Sequence, residues 1–525
     1  MVDIKDLTLR EKILQTMVIR GNPDNYINEQ VGGIFFGGEI ITNADETGVA
    51  NAKRILERYI DNAKIPILIT SDFENGCGSM LKGLTPLPYL MSLGATQSEQ
   101  LAYDYGKATA LEAKSIGANW TFSPVSDLNI NRLNPLVNVR SISNNPELAI
   151  KLLKQIVRGM QENGLAACAK HFPGDGVDYR DQHIITTHNT LSIEDWKKLS
   201  GRVFKELIDD GVYSIMAGHI TLPAYQKMTD NDGLRLPATL SYELITKLLK
   251  QEMGFNGVVV TDALNMGGFL GWYPTKRKST IESFKAGCDM ILWPEWDYVD
   301  DMMEAIESGY ISLERLDDAV TRILNMKKKL GMFNGDNHAK PLTDTDKAFV
   351  AKVQQKTAEE SITLIRDNAK LFPLCTEKYK KIAVVPVTHY TPAFEEAELL
   401  CEELRAKGFE VDYFKTGMQS QIMSEYEARV ADYDLIIYAL FSRSFRPIGP
   451  IDFSGGEAGK IMFSLQCGIE KTVIVSFGSP YHINQYFEHA KTCVNAYSML
   501  SPSVKAFVRA AMGEIKFTEF SPVDL

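Results

Sequence analysis

Short apolar runs recur along the first 294 residues, and most of them end in polar or glycine-rich sequence. They lie at 16–21, 32–38, 65–76, 118–127, 165–176, 212–220, 256–268 and 288–294. Most stretches between the runs are amphipathic at helical spacing. Eight strand-then-helix units predict a (β/α)8 TIM-type barrel, although a doubly wound parallel sheet gives a similar alternation.

A polar connection at 336–346 separates these runs from a second alternation. The later apolar runs lie at 381–387, 411–414, 434–441, 472–478 and 492–499. Near-continuous apolar strands of this kind are usually buried on both faces of a parallel sheet. We therefore predict an α/β protein with a catalytic barrel over 1–335, a linker over 336–346, and a C-terminal αβα sandwich domain over 347–525.

Composition narrows the classes of partner and cofactor. The 525 residues include 56 Lys or Arg and 67 Asp or Glu, which gives a formal net charge of -11. This balance disfavours nucleic acid and anionic membranes, because both attract basic proteins. The seven cysteines show no CxxC spacing and the second domain has no convincing cofactor motif, so we expect no cofactor.

The location and assembly of the protein are less constrained by the sequence. The N-terminal segment is charged throughout and lacks the apolar core of a signal peptide. No run reaches the length needed to span a bilayer. We therefore expect a cytoplasmic protein, while the oligomeric state stays open.

Asp181 and His183 follow the KHFPGDG segment in one loop. In an extended segment, residues two apart point to the same side, so the carboxylate can contact the imidazole. Such a pair makes a general acid/base near neutral pH, although D-x-H also occurs by chance. Asp181, His183 and His188 could instead bind a metal, but no further ligand has recognisable zinc spacing, so we expect no metal.

Asp262 stands where the run NGVVVTDALNMGG meets its loop. A carboxylate held there can attack an electrophilic carbon, or it can simply cap the following helix. Asp72 and Glu74 in SDFENG and Asp127 in SPVSD can hydrogen-bond sugar hydroxyls, or they can orient neighbours and cap turns. Residues from several strand ends meet at one face in a barrel, which favours the functional interpretation.

Taken together, these segments resemble glycoside hydrolase family 3, specifically its β-N-acetylglucosaminidase (NagZ-type) branch. The similarity lies in SDFENG, NPLVNVRSIS, KHFPGDG and the segment that ends in TDALNM. It implies a retaining exo-hydrolase that releases terminal non-reducing N-acetyl-β-D-glucosamine (GlcNAc) from cell-wall-derived glycans or muropeptides. Asp262 would form the covalent glycosyl-enzyme, with His183 and Asp181 as the acid/base dyad.

The same resemblance implies the residues that bind the sugar. Asp72, Arg140, Lys170 and His171 would hold the terminal GlcNAc, and His219 would lie beside them in the site.

Three positions depart from the family pattern. Asn75 and Cys77 replace a Gly and an Arg, and Asp175 replaces the second His of KHFPGHG. Loss of the arginine removes a bidentate clamp that cysteine cannot mimic. These departures are the only support for an inactive sugar-binding relative.

Two further alternatives stay open within the family. One is a β-glucosidase or β-xylosidase; such enzymes usually take their acid/base from the C-terminal domain, so the Asp181 and His183 pair disfavours this assignment. The other is a β-N-acetylglucosaminide phosphorylase, in which phosphate replaces water as the acceptor.

Overall fold

A computed structural model describes residues 4–20, 28–37, 46–230, 232–295, 297–335, 337–388, 390–420, 422–442 and 452–525. Residues 21, 38 and 336, which belong to the predicted runs and linker, lie outside the described residues. By contacts the chain forms two compact units. The first comprises Met1–Leu87, Glu99–Asn134 and Pro146–Ala351, and the second comprises Pro88–Ser98, Pro135–Asn145 and Lys352–Leu525.

The strands of the first unit are β1 (Met17–Arg20), β2 (Gly33–Phe35), β3 (Leu68–Ser71), β4 (Trp120–Thr121), β5 (Cys168–Phe172), β6 (Thr187–His188), β7 (Ser214–Ala217), β8 (Ile220–Thr221), β9 (Val258–Thr261) and β10 (Ile291–Leu292). The strands of the second unit are β11 (Thr363–Asp367), β12 (Lys381–Thr388), β13 (Glu410–Tyr413), β14 (Leu435–Phe441), β15 (Thr472–Phe477) and β16 (Thr492–Asn495).

The α-helices are α1 (Leu9–Gln15), α2 (Glu46–Asn62), α3 (Leu90–Thr96), α4 (Glu99–Ser115), α5 (Pro146–Gln161), α6 (Ile193–Lys198), α7 (Ser200–Asp209), α8 (Lys276–Ala286), α9 (Tyr298–Glu307), α10 (Leu313–Lys329), α11 (Asp344–Ser361), α12 (Phe394–Ala406), α13 (Met423–Ala431), α14 (Gly455–Phe463), α15 (His482–Tyr486) and α16 (Ser501–Ala511). A π-helix covers Glu243–Glu252. Within the described ranges, no helix is both long and apolar enough to cross a membrane.

Parallel strands of the first unit pair in two groups, in the orders β10-β1-β2-β3-β4 and β5-β7-β9. Single parallel bridges join Trp120 to Ala166 and Val260 to Met290, and so connect the ends of the two groups. One hydrophobic core cluster draws residues from all eight of these strands. Each of the eight predicted runs therefore contains a strand, and these strands pair in parallel.

Two very short strands in the first unit were not predicted. β6 and β8 pair in parallel, with Thr187 opposite Ile220 and His188 opposite Thr221. Strands of two residues are too short to show a hydrophobic alternation, so the sequence gives no sign of them. Their pairing brings the loop after β5 beside the segment after β7.

The second unit contains a six-stranded sheet in the order β11-β16-β15-β14-β12-β13. β11 is antiparallel to β16, and the other pairs are parallel. Ile382 and Val384 belong to one core cluster, whereas Ala383 and Val385 belong to another. Because successive side chains of a strand point to opposite faces, both faces of this sheet are buried.

Two short segments from the range predicted for the first domain belong to the second unit. Met91 and Ala95 of α3 and Val139 form a core cluster with Tyr481, Tyr497 and Val523. The continuous boundaries 1–335, 336–346 and 347–525 do not contain this exchange, and the contact-based division falls inside α11. Composition marks polar linkers, but it carries no signal for inserted loops that pack elsewhere.

Candidate functional site

Neighbouring strands bring the predicted site residues of the first unit together. Lys170 and His171 lie in β5, and Asp262 directly follows β9. β7 pairs with both of these strands, and the amide of Asp262 donates to the carbonyl of Ala217 at 2.9 Å. The carboxyl ends of these parallel strands therefore present their polar side chains at one edge.

Lys170 is a buried cation held by two carboxylates. Its Nζ lies 2.8 Å from Oδ1 of Asp72 and 2.7 Å from Oε1 of Glu74. The lysine side chain is 3% exposed, whereas those of Asp72 and Glu74 keep 18% and 16% exposure. The ammonium is thus neutralised inside the protein while both carboxylates keep an open edge for a ligand.

His171 links two further carboxylates. Its Nδ1 lies 2.7 Å from Oδ2 of Asp127, and its Nε2 lies 3.9 Å from Oδ2 of Asp262. Asp127 also accepts a hydrogen bond from the backbone amide of His171. The Asp127 carboxylate therefore fixes the orientation of the ring, with Nε2 on the side of Asp262.

Asp262 is a nearly buried carboxylate that stays ionised. Burial raises its pKa, but the electrostatic interactions with His171, His219, His183 and Lys170 outweigh this effect and hold the pKa below its ordinary value. The backbone amide of Ala263 donates to Oδ1 at 2.7 Å. An ionised, oriented carboxylate of this kind is suited to nucleophilic attack.

Asp181 and His183 form the contact that their spacing predicts. Oδ1 of Asp181 accepts from the backbone amide of His183 at 2.8 Å and lies 2.7 Å from its Nδ1. The Asp181 side chain is fully buried, and that of His183 is 14% exposed. A proton on Nδ1 is therefore held by the carboxylate, which leaves Nε2 to exchange a proton with a ligand.

His219 is enclosed by protein. Its ring is fully buried, with Nδ1 at 2.8 Å from Oγ1 of Thr239 and Nε2 at 3.1 Å from the carbonyl of Ala263. Its backbone amide donates to Oε1 of Gln182 at 2.8 Å. Burial holds the pKa of His219 below its ordinary value. The ring therefore supports the backbone after Asp262.

Asp175, one of the departures from the family pattern, lies beneath this cluster. Its amide donates to Oδ1 of Asp127 at 2.7 Å, and its own Oδ1 accepts from Asn134 at 3.1 Å. Its buried Oδ2 has no hydrogen-bond partner among the residues that the structure describes. Burial, together with the nearby Asp127 charge, raises the pKa of Asp175 to about 7.

Two further predicted ligands have contacts of their own. Arg140 belongs to the second unit, where its Nη1 donates to the carbonyl of Leu136 at 3.1 Å, so its role in sugar binding stays a prediction. His188, considered above as a metal ligand, has Nδ1 at 2.7 Å from Oγ1 of Thr221. In the described part of the chain, no group of three or more His, Cys, Asp or Glu is arranged to hold a metal ion.

Several contributions were not foreseen from the sequence. Asp127 was expected to contact hydroxyls or cap a turn, and it instead orients His171. Gln182, the residue between the dyad members, is fully buried and holds His219. Both contacts join residues about 40 positions apart, so no local pattern predicts them. The one available signal was the presence of polar residues beside strands that are otherwise apolar.

Comparisons with known proteins identify the family. Residues 8–326 match the model of the glycosyl hydrolase family 3 N-terminal domain. The chain belongs to glycosyl hydrolase family 3. It is 32% identical to a β-N-acetylglucosaminidase/β-glucosidase from Cellulomonas fimi over 95% of this chain and 90% of that protein.

Two solved family-3 structures are similar over nearly the whole chain. The β-glucoside phosphorylase BglX has 29% identity and a TM-score of 0.88, with 99% of this chain and 94% of that chain covered. A family-3 β-N-acetylglucosaminidase from Paenibacillus sp. str. FPU-7 has 28% identity and a TM-score of 0.82, with 99% of both chains covered. The family-3 protein described here is an enzyme of the glycoside hydrolase class.

Proposed function

We propose that the protein is a retaining exo-β-N-acetylglucosaminidase that acts through a covalent intermediate on Asp262. The observation that carries this proposal is the joint presence of an ionised Asp262 and a carboxylate-supported His183 in one site. Retaining hydrolysis needs a nucleophile and a second group that first donates and then accepts a proton. The dyad of His183 and Asp181 would replace the second carboxylate that most glycosidases use.

The proposed first step transfers the sugar to the enzyme. An oxygen of Asp262 forms a bond to the anomeric carbon while the bond to the leaving oxygen breaks. Nε2 of the protonated His183 gives its proton to that oxygen, and Asp181 supports the imidazolium through Nδ1. Oδ2 is the better candidate for the attacking oxygen, because Oδ1 already accepts from the amide of Ala263.

The proposed second step releases the sugar with its original configuration. A water molecule gives a proton to Nε2 of His183 while its oxygen bonds to the anomeric carbon. The bond between that carbon and Asp262 breaks at the same time. His183 thus ends the cycle protonated, as it began.

The sugar-binding assignments are divided by the geometry. Asp72, Lys170 and His171 line the same edge as Asp262, which supports their proposed contact with the sugar. Because His219 is fully buried with both ring nitrogens facing protein oxygens, we propose that it supports the Asp262 backbone instead. Arg140 stays a proposed ligand on the strength of the family resemblance.

Activity on GlcNAc is supported by the names of two relatives that match most of the chain, one of which is also named a β-glucosidase. GlcNAc-bearing cell-wall fragments are accordingly the proposed natural substrates. The test compares kcat/KM on p-nitrophenyl β-GlcNAc and p-nitrophenyl β-glucoside. A higher value for the GlcNAc substrate is expected, and a preference for the glucoside would overturn this assignment.

Phosphorolysis is the second candidate reaction. It is favoured by the TM-score of 0.88 to a β-glucoside phosphorylase over 99% of this chain. In that reaction phosphate, instead of water, attacks the glycosyl-enzyme, and the product is a sugar 1-phosphate. Turnover in buffers with and without phosphate, with the products separated, distinguishes the two acceptors.

The architecture proposed for this chemistry is the predicted one. The two strand groups, their connecting bridges and the shared core support a (β/α)8 barrel in the first unit. The sheet of the second unit, with a core cluster on each face, supports an αβα sandwich.

A further inference from the structure

The loop that carries the dyad is hydrogen-bonded to the loop that begins with Asp262. We call residues 173–186 the dyad loop and residues 262–275 the Asp262 loop. The amide of Gly267 donates to the carbonyl of His183 at 2.8 Å, and the amide of Gly268 donates to the carbonyl of Gln182 at 3.1 Å. The backbone of the residue that carries the imidazole is thus held directly.

A side-chain layer joins the same two loops. Oγ1 of Thr186 donates to the carbonyl of Gly268 at 2.7 Å. The indole Nε1 of Trp272 lies 2.9 Å from Oγ1 of Thr186 and 3.2 Å from the carbonyl of Gly268. The indole therefore closes a network that begins in the dyad loop and ends in the Asp262 loop.

The close approach of the loops leaves no room for a side chain at either glycine. A Cβ on Gly267 would lie 2.1 Å from the carbonyl oxygen of Ile184. A Cβ on Gly268 would lie 2.5 Å from the carbonyl oxygen of Gln182 and 2.9 Å from Cβ of His219. Because the nearest atoms are backbone atoms, a larger residue would push the loops apart.

We propose that Gly267, Gly268 and Trp272 are positioning residues that fix His183 relative to Asp262. The loop that presents the carboxylate would then also set the position of the proton donor. This inference rests on the proposed roles of Asp262 and His183. Its physical basis is that reacting groups must be held in a near-attack geometry, where a displacement of about 1 Å can cost about 100-fold in rate.

The test compares Gly267→Ala with His183→Ala and with a matched control, Gly335→Ala. At position 335 the nearest atom to an added Cβ is the carbonyl oxygen of Gly331 at 3.7 Å, an ordinary contact. The measurement is kcat/KM on β-GlcNAc substrates with activated and with poor leaving groups. Only poor leaving groups need a proton from His183.

Gly267→Ala is expected to lose about 10- to 100-fold on a poor leaving group and much less on an activated one. His183→Ala should show the same pattern with a larger loss, and Gly335→Ala should match the wild type. If His183→Ala shows no leaving-group dependence, its proposed role as the acid fails. If His183→Ala shows the dependence and Gly267→Ala does not, the positioning role is overturned.

Trp272→Phe provides a test if Gly267→Ala does not fold. It keeps an aromatic ring and removes the indole N–H. Hydrogen exchange should become faster in peptides that contain the amides of Gly267 and Gly268, with a several-fold loss on poor leaving groups. Unchanged exchange together with an unchanged leaving-group dependence would overturn the proposal.

Discussion

Asp262 and Asp175 are two buried carboxyl groups near the same imidazole, and their pKa values shift in opposite directions. Three histidines and Lys170 lower the pKa of Asp262, which lies below the ordinary value. Asp175 is buried against Asp127, and its pKa is raised to about 7. His171 lowers both pKa values, so the other neighbours decide the difference.

The comparison shows that burial alone does not determine the charge of a side chain in this site. Desolvation disfavours the ionised form of both groups, and the sign of the nearby charge decides which one overcomes it. Asp262 is thereby kept as an anion, as its proposed role in attack requires. Asp175, whose pKa is about 7, is partly protonated near neutral pH.

The largest expected effect comes from removal of the Asp262 charge. Asp262→Asn keeps the shape of the side chain but removes the proposed nucleophile, so kcat/KM should fall by about 1,000-fold or more for activated and poor leaving groups alike. Asp175→Asn serves as the control for loss of a buried carboxyl. Appreciable turnover by Asp262→Asn, with its mass confirmed to exclude deamidation, would contradict the assignment.

A smaller loss of activity is expected when Asp127, which contacts both His171 and the amide of Asp175, loses its charge. Asp127→Asn removes the negative charge that contacts His171, and His171 is the first of the interactions that lower the pKa of Asp262, so the pKa of Asp262 should rise. Because the proposed mechanism needs the ionised Asp262, the acid limb of the pH profile of kcat/KM should move to higher pH. A loss of about 10- to 100-fold at the optimum is expected for a hydrogen bond to a charged group.

Asp127→Asn acts in the opposite sense on Asp175. Loss of the neighbouring negative charge should lower the pKa of Asp175 while that of Asp262 rises. The difference between these two pKa values should therefore become smaller. If the acid limb of the Asp127→Asn profile is unchanged, the contact between Asp127 and His171 does not affect the pKa of Asp262.

The smallest effect on catalysis is expected at Asp175, where stability is the better readout. In the folded protein its pKa is raised to about 7 from an ordinary value of 3.8. Between these pH values the carboxyl group is ionised in the unfolded chain and still protonated in the folded protein. The contribution of Asp175 to the free energy of unfolding therefore falls as pH rises.

Asp175→Asn should therefore raise the Tm relative to wild type by an amount that grows from pH 4 to pH 7 and then levels off. Thermal unfolding at several pH values checks this expectation. A Tm difference that does not vary with pH would show that Asp175 does not titrate in this range.

Local patterns predicted the strands better than the contacts between loops. All eight early apolar runs contain a strand, and the two-residue spacing of Asp181 and His183 predicted their hydrogen bond. The edge strand β11 was missed because it is mostly half-buried and lacks a long apolar run.

Long-range pairings in the site left no local trace. His171 and Asp127 lie 44 positions apart, and Trp272 reaches Thr186 across 86 positions. Residue type and spacing indicate which side chains can react, whereas the partners that orient them depend on how the strand ends meet in space. Sequence reasoning therefore identified the candidate acid/base and nucleophile more readily than the residues that position them.

The inclusion of 88–98 and 135–145 in the second unit has a consequence for biosynthesis. Domains generally fold from the N-terminal end as the ribosome extends the chain. Met91 and Val139 cannot contact all of their core partners Tyr481, Tyr497 and Val523 until synthesis has passed residue 523. We therefore expect these apolar side chains to lack their folded-state cover while the intervening residues are being made.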